Sequence, residues 1–231
     1  TMAGCAALVA LAIGPLRRPL DADRDPAAGA PHPHLLAREA AGALGLLRRD
    51  AALRRLTVMA CGYGVTQFCF LTFFVAFQVA ALGMPLAEAG LVLAAGQVAG
   101  VIGRLGWAVL ADRVGARPAL VACGIGAAAG GLTLALAGPG WPAALVLLAA
   151  VVMGATAVGW NGVMLAEAAR IAPAGGVGAA TSALSFCFAL TMLAAPPGFS
   201  ALVETTGGYG AGFLMCAAAA AVGAVAIARS R

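Results

Sequence analysis

Apolar residues run for about twenty positions at a time along this chain, the length needed to cross the hydrocarbon core of a bilayer. Short polar connectors separate the runs. Six are complete, at approximately residues 56–82, 88–110, 118–137, 143–165, 178–200 and 210–228. The pattern predicts an all-α fold, a polytopic membrane helix bundle with six complete transmembrane helices. A seventh run, residues 1–16, is short for a span and starts abruptly at Thr1. Arg17 and Arg18 follow it and no basic region precedes it, the reverse of a signal peptide. It reads as a partial transmembrane helix whose beginning lies outside this chain.

The arginines orient the spans. Eight fall between Arg17 and Arg55; Arg104, Arg113 and Arg117 lie at or near the second connector, Arg170 in the fourth, and Arg229 and Arg231 in the tail. The alternate connectors 83–87, 138–142 and 201–209 hold none, and Glu88 and Glu204 stand at their edges. The positive-inside rule makes the arginine side cytoplasmic. A multi-pass protein of the cell (inner) membrane is expected, with the linker and the C-terminus in the cytoplasm.

Composition removes the soluble alternative. Charged residues make up 10% of the chain and hydrophobic ones 62%, whereas a soluble domain carries roughly 25% charge to face water. The 32 glycines suit close helix packing. The net charge of +5 does not mark a nucleic-acid partner, because no basic face is interleaved with aromatics. The cysteines, Cys5, Cys61, Cys69, Cys123, Cys187 and Cys216, all sit in apolar runs and read as small packing residues.

Residues 17–55 form the one long connector. Its first half reads as flexible linker, and Asp21, Asp23, Asp25, His32 and His34 there read as solvated side chains, not metal ligands. From Leu35 to Leu56 apolar and basic positions alternate at roughly helical spacing, which predicts an amphipathic helix lying on the anionic inner leaflet. The domain layout is then a partial helix 1–16, a cytoplasmic linker 17–55 and a six-helix half-domain 56–231.

The most specific signal is Gly103–Pro118, GRLGWAVLADRVGARP, where one span ends and the next begins. Asp112 stands at the helix exit, Gly115 permits a sharp turn with positive φ, and Pro118 suits the first turn of the following helix. A plain topogenic turn would account for the arginines but not for the order Asp-Arg-x-Gly-x-Arg. That order resembles the signature loop of the major facilitator superfamily, with Asp112, Arg113, Gly115 and Arg117 matching in place. Ala108 and Ala116 depart from the pattern. The stretches Gly159–Arg170 and Glu204–Phe213 also look like bacterial members. The resemblance implies that this chain is the C-terminal six-helix half of such a transporter, two three-helix repeats that work against a missing N-terminal six-helix half.

It also implies that the first helix of each repeat lines a substrate cavity. The span 56–82 carries Tyr63, Gln67, Phe70, Phe74 and Gln78 on one helical face, and the span 143–165 carries Trp160 and Asn161. For Gln67 and Asn161 two readings stand, cavity lining or interhelical hydrogen bonds; the aromatic stripe equally suits packing. Gln97 and Arg104, seven residues apart, share a face of the span 88–110. Arg104 either binds an anionic solute, snorkels to headgroups or pairs at a gate. Gly96, Gly100, Gly103 and Gly106 form a small-residue edge on the same span. The spans 118–137 and 210–228 are nearly devoid of polar groups and read as lipid-facing. Ser182 and Ser185 with Pro196 and Pro197 suggest a bendable fifth span.

No carboxylate lies mid-span, no histidine is embedded, and no catalytic constellation appears, so neither an enzyme nor a cofactor or metal site is expected. The functional expectation is transmembrane transport of a small polar or anionic organic solute by a secondary transporter, with Arg104, Asp112, Arg113, Gly115 and Arg117 as the cytoplasmic gate and motif. The alternative is a membrane scaffold or accessory half-subunit without transport of its own.

Overall fold

The computed structural model describes residues 42, 45–173 and 176–229. The chain divides into two units, Thr1–Glu39 and Ala40–Arg231, and the described residues all belong to the second. The expected partial span 1–16 and the Asp and His residues of the linker lie outside them.

The second unit is a bundle of helices, without strands among the described residues. We number them α1 (Ala51–Leu82), α2 (Leu86–Val114), α3 (Ala116–Leu136), α4 (Ala143–Met153), α5 (Asn161–Ile171), α6 (Val177–Thr206) and α7 (Gly210–Ala228). A π-helical turn, Gly154–Val158, joins α4 to α5, so that Ala143–Ile171 forms one span. With it, six helices among the described residues are long and apolar enough to cross a membrane.

Their ends follow local chemistry. Residues 45–49 are helical, but Asp50 breaks the run. Its Oδ1 accepts from the backbone N–H groups of Ala52 at 2.8 Å and Leu53 at 2.9 Å, which satisfies two amides at the start of α1. The first membrane helix therefore begins five residues ahead of the expected boundary, and the described end of the linker is a separate short turn. Gly83 (φ 69°) ends α1 and Gly207 (φ 71°) ends α6, both in the left-handed region that glycine enters without strain. Gly115, at φ 95°, turns α2 into α3. Pro196 and Pro197 lie inside α6, which stays helical through them.

Packing is centred on α1. It lies against α6 and α7, while α7 also packs along α3, and α2 lies along α4 and the π turn. Phe70, Phe74 and Phe77 of α1, Phe199 of α6 and Phe213 of α7 are fully enclosed. Phe73 stacks on Phe199 at 4.4 Å between ring centroids, and Phe77 meets Phe213 edge-on at 5.0 Å. Such pairs add directional attraction to simple area burial. The helices α3 and α7 are not wholly lipid-facing. Each turns small residues, among them Gly131 and Ala217, toward the other, and keeps an apolar outer face that includes Ile125 and Leu132 on α3 and Val222 on α7. The least enclosed spans are α2 and α6, with 22% and 17% of their apolar stretches buried against 39–56% for the other four.

Candidate functional site

The site is built where α2 crosses the fourth span. A β-carbon added at Gly96 would sit 2.8 Å from the Ala150 carbonyl oxygen, and one at Gly103 would sit 2.5 Å from that of Ala155. One at Gly154 would overlap the Gly96 carbonyl. The two backbones therefore touch, as small residues allow in membrane bundles. Gly106, the fourth glycine of the expected edge, has nothing within 4 Å of such a carbon and takes no part.

The fourth span departs from α-helical hydrogen bonding at this crossing, which leaves carbonyls that lipid could not satisfy. Side chains take them. The Trp107 indole donates to the Ala155 carbonyl at 2.7 Å, and the Trp160 indole to that of Ala157 at 2.9 Å. Asn161 Nδ2 donates to the Val158 carbonyl at 3.3 Å, and Arg104 Nε approaches the same oxygen at 3.5 Å. Two of these four donors come from α2, so the irregular turn is stabilised from the neighbouring helix. Neither the irregular turn nor the role of Trp107 follows from the sequence pattern. The one signal was the Trp160-Asn161 pair, two donors side by side in an apolar run.

The expected cavity residues divide into two groups. Tyr63, Phe70, Phe74 and Trp160 have no exposed surface in this bundle. Tyr63 donates its hydroxyl to the Leu120 carbonyl of α3 at 2.7 Å and meets Trp160 edge-on at 5.5 Å. Gln67, Asn161 and Gln97 stand nearer the surface: Gln67 is 9% exposed, Asn161 half-buried and Gln97 exposed. Asn161 Nδ2 also donates to Gln67 Oε1 at 3.3 Å, linking α5 to α1. Arg104 is exposed, and its contact with Val158 is long for a hydrogen bond, so its guanidinium is largely uncommitted. Gln78 faces inward instead. It is fully buried, with Nε2 donating to the carbonyls of Phe74 at 3.3 Å and Ala89 at 3.2 Å.

At the end of the bundle where α2 meets α3, Asp112, Gly115, Arg117 and Pro118 border a cavity of about 560 Å³ whose opposite wall carries Glu167 and Arg170 of α5. Asp112 and Arg113 are exposed and Arg117 is half-buried. Glu167 is 4% exposed and accepts a bidentate pair from Arg170, Nε to Oε2 at 2.7 Å and Nη2 to Oε1 at 2.6 Å. It is the one ion pair among the described residues. Their i,i+3 spacing was a signal that sequence reading could have used. Among the described residues no group of three or more His, Cys, Asp or Glu is placed to hold a metal.

A profile of the Major Facilitator Superfamily matches residues 1–196. The chain belongs to this family. The major facilitator assignment agrees with the Asp112–Arg117 loop and with the six-span bundle. Ten solved chains match the structure. One is a single-residue variant of the fucose:proton symporter of E. coli, with a TM-score of 0.71 at 20% identity. The match covers 83% of this chain and 46% of the symporter, so this chain spans about half that protein's length. At this identity the likeness carries the fold alone. No curated protein sequence matches the chain.

Proposed function

We propose that this bundle is the C-terminal half of a secondary transporter that moves a small polar or anionic organic solute by alternating access against a second six-helix half. The observation that carries the reading is Arg104. A guanidinium inside a span is costly unless it faces protein, a wet cavity or a headgroup, and Arg104 is exposed on one of the two least enclosed helices. Gln97 shares its helix face, and the Gln67–Asn161 amide pair stands on the adjoining helices. Arg104, Gln97 and the Gln67 amide nitrogen supply donors and one positive charge, which fits a carboxylate or another small anion, while Asn161, its two amide hydrogens used on Gln67 and Val158, holds Gln67 in place. Tyr63, Phe70, Phe74 and Trp160 back this wall and hold its helices apart at fixed distance.

In this reading the Asp112 loop is the latch between the halves. Its carboxylate makes no ion pair among the described residues, and Arg113 beside it is exposed. Both are available to a partner half when the cytoplasmic ends close. The arginine-rich end faces the cytoplasm of the inner membrane, and the transporter performs no covalent chemistry on its solute.

The test is uptake into proteoliposomes by a protein carrying both halves, using a panel of small organic anions and neutral solutes of matched size. Arg104→Gln should abolish uptake of the preferred anion while leaving the amount of reconstituted protein unchanged. Absence of uptake for every solute, with the protein instead retaining a membrane partner, would favour the scaffold.

A further inference from the structure

Five arginines gather where α1 begins and α7 ends. Arg54 Nη1 donates to the Arg48 carbonyl at 3.2 Å, and Arg55 Nη1 donates to the Arg229 carbonyl at the C-terminal end of α7. Arg49 adjoins Arg48. Arg48, Arg49, Arg54 and Arg229 are exposed, and Arg55 is half-buried. Among the described residues none of the five has an ion pair. Asp50, the carboxylate in their midst, uses Oδ1 on the first amides of α1. The turn that carries Arg48 and Arg49 is fixed in place, because Leu47 packs with Leu53, Ala180 and Ala183 in a small apolar cluster.

Directly beneath the basic groups the surface is apolar. Val58, four residues from Arg54 and three from Arg55, therefore shares their helical face and is 42% exposed. On α7, Val225 and Val222 stand four and seven residues before Arg229, at 48% and 59% exposure. The two helices touch: a β-carbon at Gly223 would lie 3.1 Å from the Met59 carbonyl oxygen. The result is a two-helix surface with guanidiniums at the rim and valines one to two turns inward.

We propose that this surface is a binding site for an anionic phospholipid, with the phosphodiester held by Arg54, Arg229 and their neighbours and the acyl chains lying along Val58, Val222 and Val225. Guanidiniums bind phosphate oxygens in paired hydrogen bonds. The apolar strip selects a lipid over free phosphate or a soluble acidic partner, neither of which would use it. The pinned turn lowers the ordering cost of binding. The site lies apart from Arg104 and the Asp112 loop, so it stands independently of the transport reading.

The test compares phosphatidylglycerol with phosphatidylcholine retained by the purified chain in native mass spectrometry. Wild type should retain phosphatidylglycerol preferentially. Arg54→Gln with Arg229→Gln should lower that retention about fivefold per arginine removed and leave phosphatidylcholine unchanged. Arg113→Gln with Arg117→Gln, the same charge change on another part of the rim, should have little effect. Arg54→Lys with Arg229→Lys should restore retention above the glutamine pair and so separates charge from folding. Equal retention of the two lipids by wild type, equal losses in the two glutamine pairs, or failure of the lysine pair to recover would each overturn the proposal. Displacement of the lipid by glycerol phosphate at matched concentration would overturn the role of the valines.

Discussion

Asn161 donates to Gln67 across the middle of the bundle at 3.3 Å, and the same amide also donates to the Val158 carbonyl at 3.3 Å. The first bond ties α5 to α1 and the second secures the end of the π turn, so one side chain couples a helix contact to an irregular backbone. Interhelical hydrogen bonds in membranes are worth about 0.6 kcal/mol on average. A double-mutant cycle of Gln67→Ala and Asn161→Ala, read by unfolding of the purified protein, should give a coupling of about that size. Asn161→Ala should cost more than Gln67→Ala, because it also strips a donor from Val158. Equal costs with zero coupling would show that the pair is not formed.

Trp107→Phe keeps most of the ring and removes the indole N–H that serves the Ala155 carbonyl. A buried acceptor left unpaired costs about 1–3 kcal/mol, so the melting temperature of the purified protein should fall clearly. Thr133→Val, which removes an exposed hydroxyl bonded only within its own helix, should shift it little. A Trp107→Phe protein as stable as wild type would mean that the π turn needs no outside donor.

At the crossing of α2 with the fourth span, Gly154→Ala should destabilise strongly, because its methyl group would overlap the Gly96 carbonyl. Gly106→Ala on the same helix meets nothing within 4 Å and should be neutral or stabilising by up to about 1 kcal/mol. Monodispersity and thermal stability of the two variants in detergent check the contrast.

The six spans were legible because apolar run length and arginine placement are properties of local sequence. The glycine edge was legible in part. Its spacing predicted a close contact, but Gly106, ten residues beyond Gly96, lies about 80° round the helix from it and points off the crossing, with nothing within 4 Å of an added β-carbon. The irregular turn was not legible, since Gly154-Ala155-Thr156-Ala157-Val158 is as apolar as its flanks and its stabilising donor, Trp107, lies 48 residues away. For the aromatic stripe, periodicity placed Tyr63, Phe70 and Phe74 on one face of α1 without saying what that face meets. That depends on how α2, α3, α7 and the fourth span pack on α1, which no local pattern specifies.

Gly115, at φ 95°, sets the α2–α3 turn. Gly115→Val should cost about 1–3 kcal/mol in backbone strain, whereas Asp112→Asn should leave stability unchanged because Asp112 is exposed. In a protein carrying both halves, Asp112→Asn should still slow uptake and raise the accessibility of cytoplasmic cysteines to an impermeant reagent. Unchanged accessibility with unchanged uptake would reduce the loop to a topogenic turn.

Orientation has its own check. Ala87→Cys and Thr205→Cys are exposed positions on the connectors without arginine and should react with an impermeant thiol reagent in sealed, right-side-out cells. Arg113→Cys should not. Reversal of that pattern would invert the bundle.

The π turn has a geometric consequence for everything beyond it. A helix advances roughly 100° per residue, so a turn that accommodates an extra residue rotates α5 relative to α4 by about that angle. A helical wheel drawn straight through Ala143–Ile171 therefore misassigns every face after Val158. Glu167 and Arg170, which line the wall opposite Arg117, lie beyond the π turn and so carry this offset. Deleting a single residue within Gly154–Val158 would shorten the span by no more than the rise of one residue. It would nonetheless swing the α5 carboxylate away from the α2–α3 loop, so the span's length and its angular phase are inherited separately.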